Sequence, residues 1–105
     1  MQTLAGRDLG RFMREHPHTM LIDLRPRADF RVSHIRGAVN VPYSSLNRVK
    51  GRLPRHTDLV FYCERGGSAM AAARDLSEEG YRTIAVIGAY DDISRLTETV
   101  SGYNI

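Results

Sequence analysis

Three short apolar runs constrain this chain more than any other feature. They are TMLIDL at 19–24, DLVFY at 58–62 and TIAVI at 83–87. The second ends directly at Cys63 and the third at Gly88. Runs this short and this continuously apolar fit strands of a sheet covered on both faces. Helical periodicity fills the gaps between them. Residues 6–15 place Leu9, Phe12 and Met13 on one stripe, and His16-Pro17 stops the helix. Residues 69–79 place Met70, Ala73 and Leu76 on another, with Gly80 as the C-terminal cap. Shorter helices are predicted over 28–34, 42–49 and 90–97. Strands alternating with helices predict an α/β fold on an open parallel sheet. Ligands of such sheets bind outside the carboxyl ends of the strands, and Cys63 occupies one of those ends.

Length and composition narrow the class. With 105 residues, 42% of them hydrophobic and 26% charged, the chain reads as one soluble globular domain over 1–105. No apolar run is long enough to span a bilayer. The N-terminal stretch MQTLAGRDLGRFMREH has no apolar core followed by a small-residue cleavage site, so no signal peptide is expected and the default location is cytoplasmic. The net charge is +3, but the arginines are scattered along the sequence rather than gathered in one block. That pattern gives a solvated basic surface, or attraction for small anions or an acidic partner, and predicts neither nucleic-acid nor membrane binding. The single cysteine forms no internal disulfide and no cysteine-rich metal cluster, so no metal is expected. A lone cysteine is ordinarily a buried, inert residue, and only a polar, glycine-rich setting at a helix start makes it reactive.

Cys63 has that setting. The sequence Tyr62-Cys63-Glu64-Arg65-Gly66-Gly67-Ser68-Ala69 joins a predicted strand to a predicted helix. Gly66 and Gly67 permit positive φ and a sharp turn. A loop of this kind points backbone N–H groups inward as an anion nest. Ser68 is placed to cap the helix, whose N-terminus adds partial positive charge, and Arg65 adds a full one. Together these favour a thiolate at Cys63, the form that attacks sulfur. Glu64 acts the other way if its carboxylate faces the loop. Taken alone, the loop describes a phosphatase as well as a sulfur-transfer site.

The stretch LIDLRPRADFRVSHIRGAVNVP at 21–42 separates the two. Its elements are Asp23-x-Arg25, then Asp29-Phe30, then His34-Ile35-x-Gly37-Ala38-x-Asn40-x-Pro42. Together they closely resemble the N-terminal signature of the rhodanese family, in which Glu often stands at position 29 and Gly at position 33. Cys63 follows at a spacing typical of that family, and the resemblance runs from about Thr3 to Ile93. It implies an open sheet of about five mainly parallel strands with helices on both faces. It also implies a catalytic Cys63 that carries a persulfide, bound by the N–H groups of Glu64, Arg65, Gly66, Gly67, Ser68 and Ala69, with no cofactor. The implied partners are small sulfur donors, thiol acceptors and a sulfur-accepting protein. One departure lies near the C-terminus. Many members carry a glycine pair followed by a tryptophan, whereas this chain reads IGAYDDI at 87–93 and has no Trp. The last helix is therefore expected to dock in its own way and to alter a surface used for partner contact elsewhere in the family.

The upstream residues also have a physical reading. Asp23 and Arg25 lie two apart at a strand end, so both can face one side and pair as a clamp beside the loop. His34 is suited to a backbone hydrogen bond that fixes the chain after the short helix. For these three, holding the fold is the simpler role. Two competing functions remain. A cysteine-dependent phosphatase or arsenate reductase requires an arginine six residues after the cysteine, and Ala69 stands there. A non-catalytic interaction module on the same fold commonly lacks the cysteine, and Cys63 is present.

Overall fold

The computed structural model describes residues 1–101. The three apolar runs form strands β2 (Met20–Asp23), β5 (Leu59–Tyr62) and β6 (Thr83–Ile87). Two shorter strands, β1 (Gln2–Ala5) and β4 (Val39–Asn40), join them in one sheet of order β1-β6-β5-β2-β4, with every pairing parallel. The expected open parallel sheet of about five strands is therefore the fold. β5 is central and fully buried, as its unbroken apolar sequence requires. Strand β3 (His34–Ile35) stands apart in a small antiparallel ribbon with β7 (Thr99–Val100).

Helices cover both faces, and the alternation of side chains along each strand decides which residues meet them. On one face Leu21, Val60, Tyr62, Ile84 and Val86 pack against α1 (Leu9–Glu15), α5 (Tyr90–Leu96) and Phe30 of α2 (Arg27–Val32). On the other, Ile22, Leu59, Phe61, Cys63 and Ala85 pack against α3 (Tyr43–Val49) and α4 (Gly67–Glu78). The buried stripe of α4 is Ala69, Ala72, Ala73 and Leu76, whose small side chains let the helix lie close to β5 and β6. Gly80, at φ +93, takes the left-handed turn expected just beyond this helix.

Two sequence expectations are corrected here. The predicted helix over 28–34 ends at Val32, because Ser33 turns extended (φ −165, ψ 141). His34 then pairs as a strand with Val100, a remote partner that no local propensity announces. Ser68 does not cap α4: it lies inside the helix, and the N-cap is Gly66, which has no side chain to bond.

Register is the feature that builds the site. Asp23 lies opposite Tyr62, and the Leu24 N–H continues the pairing to the Tyr62 carbonyl at 2.9 Å. Arg25 therefore emerges from β2 beside Cys63 emerging from β5.

Phe61 is completely buried at the centre of the α4 face. Phe61→Ala is expected to lower the unfolding free energy by about 3–5 kcal/mol, read from urea denaturation followed by far-ultraviolet circular dichroism.

Candidate active site

Cys63 directly follows the central strand and is 5% exposed. Its Sγ accepts two backbone hydrogen bonds, from the Gly66 N–H at 3.0 Å and the Ala69 N–H at 3.3 Å. Ala69 is the third residue of α4, so its N–H is one of the donors that a helix start leaves without an internal partner. The sulfur takes the place of the expected serine cap. Gly66 makes this possible with φ +100, which bends the chain so that its own N–H and the helix start converge on Sγ. Of the six N–H groups expected to face the sulfur, those of Gly66 and Ala69 do so. Glu64, Arg65 and Gly67 are exposed, Ser68 is half-buried, and Ala69 is buried.

The loop forms one wall of a cleft of about 300 Å³, contributed by Cys63, Glu64, Arg65, Gly67 and Ser68. The opposite wall is Leu24, Arg25 and Pro26. Arg25 is 5% exposed and Asp23 fully buried. The guanidinium grips the Asp23 carboxylate through Nη2 at 2.9 Å and Nε at 3.2 Å, and the Arg25 backbone N–H adds a bond to Oδ1 at 2.8 Å. Nη2 also donates to the Ser33 carbonyl. Asn40 locks the turn from behind, donating Nδ2–H to the carbonyls of Asp23 at 3.0 Å and Arg25 at 2.9 Å. Burial lowers the affinity of Arg25 for its proton, but the bond to Asp23 and the charge of that carboxylate outweigh it, so the pKa lies above its ordinary value.

Two tyrosines complete this cluster. Tyr90 lies flat against the guanidinium, 3.6 Å from Cζ to ring centroid, and its hydroxyl shares a 2.8 Å hydrogen bond with Ser33 Oγ. The Tyr90 backbone N–H donates to the Glu64 carbonyl at 2.9 Å. Tyr62 stacks against Tyr90 at 5.8 Å, and its hydroxyl accepts the Ile35 N–H at 3.1 Å. Burial first, and the neighbouring Asp23 charge second, push the Tyr62 hydroxyl well above its usual pKa. His34 lies elsewhere: it is buried, stacks on Phe30 at 3.7 Å, bonds the Phe30 carbonyl through Nδ1 at 2.9 Å and does not line the cleft.

The sequence-chosen Cys63, its loop, Asp23 and Arg25 thus come together, while His34 does not join them. Tyr90, Tyr62, Ser33 and Asn40 were not singled out for roles. Asn40 carries a signal, as part of the upstream motif. Tyr90 has only its place at the start of a helix after Gly88-Ala89. A larger hollow of about 500 Å³ between α3 and α4 is lined by Tyr43, Leu46, Lys50, Glu78 and Glu79 among others, and Cys63 does not line it. Among the described residues no group of His, Cys, Asp and Glu is arranged to hold a metal ion, and no helix is long and apolar enough to cross a membrane.

A parallel α/β sheet with a cysteine loop at the carboxyl end of its central strand defines the class. Residues 8–95 match the rhodanese-like domain, and the chain belongs to that family. It is 32% identical over 75 residues to the thiosulfate sulfurtransferase PspE of Escherichia coli, covering 70% of this chain and 72% of that one. It is 34% identical over 71 residues to an HTH-type transcriptional regulator of Mycobacterium tuberculosis, covering 63% of this chain and only 31% of the regulator's length. The crystal structure of a rhodanese-related protein from Thermoplasma volcanium superposes with a TM-score of 0.84 at 22% identity, covering 95% of this chain and 98% of that one.

Two predictions concern this cluster. A Cβ on Gly66 would sit 3.7 Å from the Gly88 backbone, an ordinary contact, so the cost of Gly66→Ala comes from φ alone. Thermal denaturation is expected to show a loss of about 1–2 kcal/mol. The second concerns Tyr62. Because its folded pKa is raised above the ordinary tyrosine value of 10.0, its neutral form stabilises the fold fully below that pH, and the contribution declines as pH rises past it. Unfolding free energies measured between about pH 9 and 11.5 are expected to fall less steeply in Tyr62→Phe than in the parent chain.

Proposed function

We propose that this protein is a sulfurtransferase that moves a sulfane sulfur through a persulfide on Cys63. The observation that carries this reading is the pair of N–H groups from Gly66 and Ala69 aimed at Sγ on a cleft wall. In the first half-reaction the Cys63 thiolate attacks the outer sulfur of thiosulfate. A new S–S bond forms, the old one breaks, and sulfite leaves with the bonding electron pair. In the second, a thiophilic acceptor attacks the outer sulfur of the persulfide, and the Cys63 thiolate departs. Cyanide becomes thiocyanate, and a cellular thiol or a sulfur-accepting protein becomes a persulfide. Charge-assisted hydrogen bonds from fixed backbone donors suit an anionic sulfur in both states. Arg65 at the mouth draws anionic donors, and Glu64 tempers that attraction. The covalent step belongs to the cysteine and calls for no cofactor.

The placement of the arginines argues against phosphoryl transfer. Ala69 stands where a phosphatase requires an arginine fork, and the buried Arg25 is committed to Asp23 and Ser33. No observation of the cleft favours the reading of a non-catalytic interaction module.

Mass spectrometry after thiosulfate treatment tests the proposal. The intact chain is expected to gain one sulfur and to lose it on cyanide addition. Cys63→Ser is expected to fold, gain nothing and show only trace turnover, and neither protein should hydrolyse aryl phosphates. A reactive thiol that gains no sulfur would overturn the reading in favour of the interaction module.

A further inference from the structure

We infer that Tyr90 is the positioning residue of the Cys63 site: its backbone N–H holds the loop in the shape that aims two donors at the sulfur, and its ring ties that bond to the buried Arg25. The inference deepens the sulfur-transfer reading and takes its functional meaning from it, although its geometric part stands without it.

Residues 63–66 leave β5 after the last sheet bond, from Leu24 to Tyr62, and enter α4 through the Met70 N–H bond to the Gly66 carbonyl. Between those two points, among the described residues, one backbone bond ties the loop to a separate element, from the Tyr90 N–H to the Glu64 carbonyl at 2.9 Å. Glu64 and Arg65 are exposed, and nothing in their side chains packs the loop down. Gly66 has no Cβ and approaches the Gly88 backbone just before α5. The start of α5 is thus the surface against which the sulfur loop is moulded.

Tyr90 is held in turn by its own side chain. Tyr90 is 7% exposed. One face rests on the Arg25 guanidinium, the plane stacks on Tyr62, and the hydroxyl reaches Ser33. Arg25 is itself immobilised by Asp23, Ser33 and Asn40. A continuous set of contacts therefore runs from the buried ion pair through the Tyr90 ring to its N–H, the Glu64 carbonyl and the donors to Sγ. In this chain, which lacks the C-terminal tryptophan, the start of the last helix is anchored from the side of the clamp.

Tyr90 is the first residue of α5, and the preceding Ala89 has φ −82 and ψ 148. Proline is accepted at the first helical position, and extended geometry is what a residue before proline adopts. Tyr90→Pro therefore removes both ring and N–H at a position whose backbone suits proline, whereas Tyr90→Ala removes the ring and keeps the N–H. The difference between the two variants reads the loss of the bond to Glu64 together with the push of the proline ring on that carbonyl. Tyr90→Phe keeps ring and N–H and loses the hydroxyl bond.

The experiment measures two quantities in all four proteins: the single-turnover rate of persulfide formation from thiosulfate, by mass spectrometry, and the amide proton shifts of Gly66 and Ala69, by nuclear magnetic resonance. A residue with a purely structural role would alter thermal stability without selectively moving these two amides. Tyr90→Phe is expected to stay within about twofold of the parent rate, Tyr90→Ala to lose roughly fivefold, and Tyr90→Pro to fall about tenfold further, since a small misplacement of catalytic groups costs that much or more. The Gly66 and Ala69 shifts should move in the same order. Identical rates and shifts in Tyr90→Ala and Tyr90→Pro overturn the inference. Should Tyr90→Pro not fold, the shifts must move in Tyr90→Ala and return in Tyr90→Phe, and unmoved shifts in Tyr90→Ala overturn it equally. A parent chain that forms no persulfide, while the amides shift as expected, defeats the sulfur-transfer reading and leaves the positioning role standing.

Discussion

The buried pair of Asp23 and Arg25 is the interaction on which the rest of this structure depends. Neither charge is tolerable alone: an unpaired buried ion costs several kcal/mol, and removing one partner strands the other. The chain offsets that cost by saturating both groups. The Asp23 carboxylate receives the guanidinium and a backbone N–H. The Arg25 side chain receives a carboxylate, a carbonyl and an aromatic face. Each of these contacts fixes a different segment. The Ser33 carbonyl sets the end of α2, Tyr90 sets the start of α5, and the backbone of Arg25 sets one wall of the cleft. A single desolvated pair thereby fixes three chain segments around the carboxyl edge of the sheet.

The sulfur site has the opposite character. It is made from main-chain donors that the fold leaves over at a helix start, and a side chain would otherwise be expected to cap them. Here the thiol supplies the acceptor. It accepts from the N–H groups of Gly66 and Ala69 together. The electrostatics of the pocket come from fixed backbone dipoles, which do not reorganise as charge shifts. Arg65 and Glu64 are exposed at the mouth, where solvent and salt weaken the field of any charge.

Legibility in the sequence followed burial. Strands β2, β5 and β6 are covered on both faces, so their composition has to be uniformly apolar, and the sequence declares them. The edge strands β1 and β4 are short and half-exposed, with no apolar pattern that distinguishes them from loops. His34 illustrates a different failure. Its neighbours carry helical propensity, but pairing with Val100 places it in a ribbon that depends on a segment far along the chain. Ser68 was the natural cap by residue type, yet the left-handed turn at Gly66 moved the helix start back and gave the role to sulfur.

The sequence by itself determined the strand-cysteine-glycine-helix order, the alternation that makes a parallel sheet, and the Asp23-x-Arg25 pair, because each rests on local spacing and residue chemistry. Only the tertiary structure decided that Tyr90 would cover Arg25 and bond Glu64, that His34 would stay outside the cleft, and that two of the six loop N–H groups would reach the sulfur. Those outcomes depend on strand register and on where α5 docks. Both are set by packing between segments distant in the chain, which no local pattern encodes.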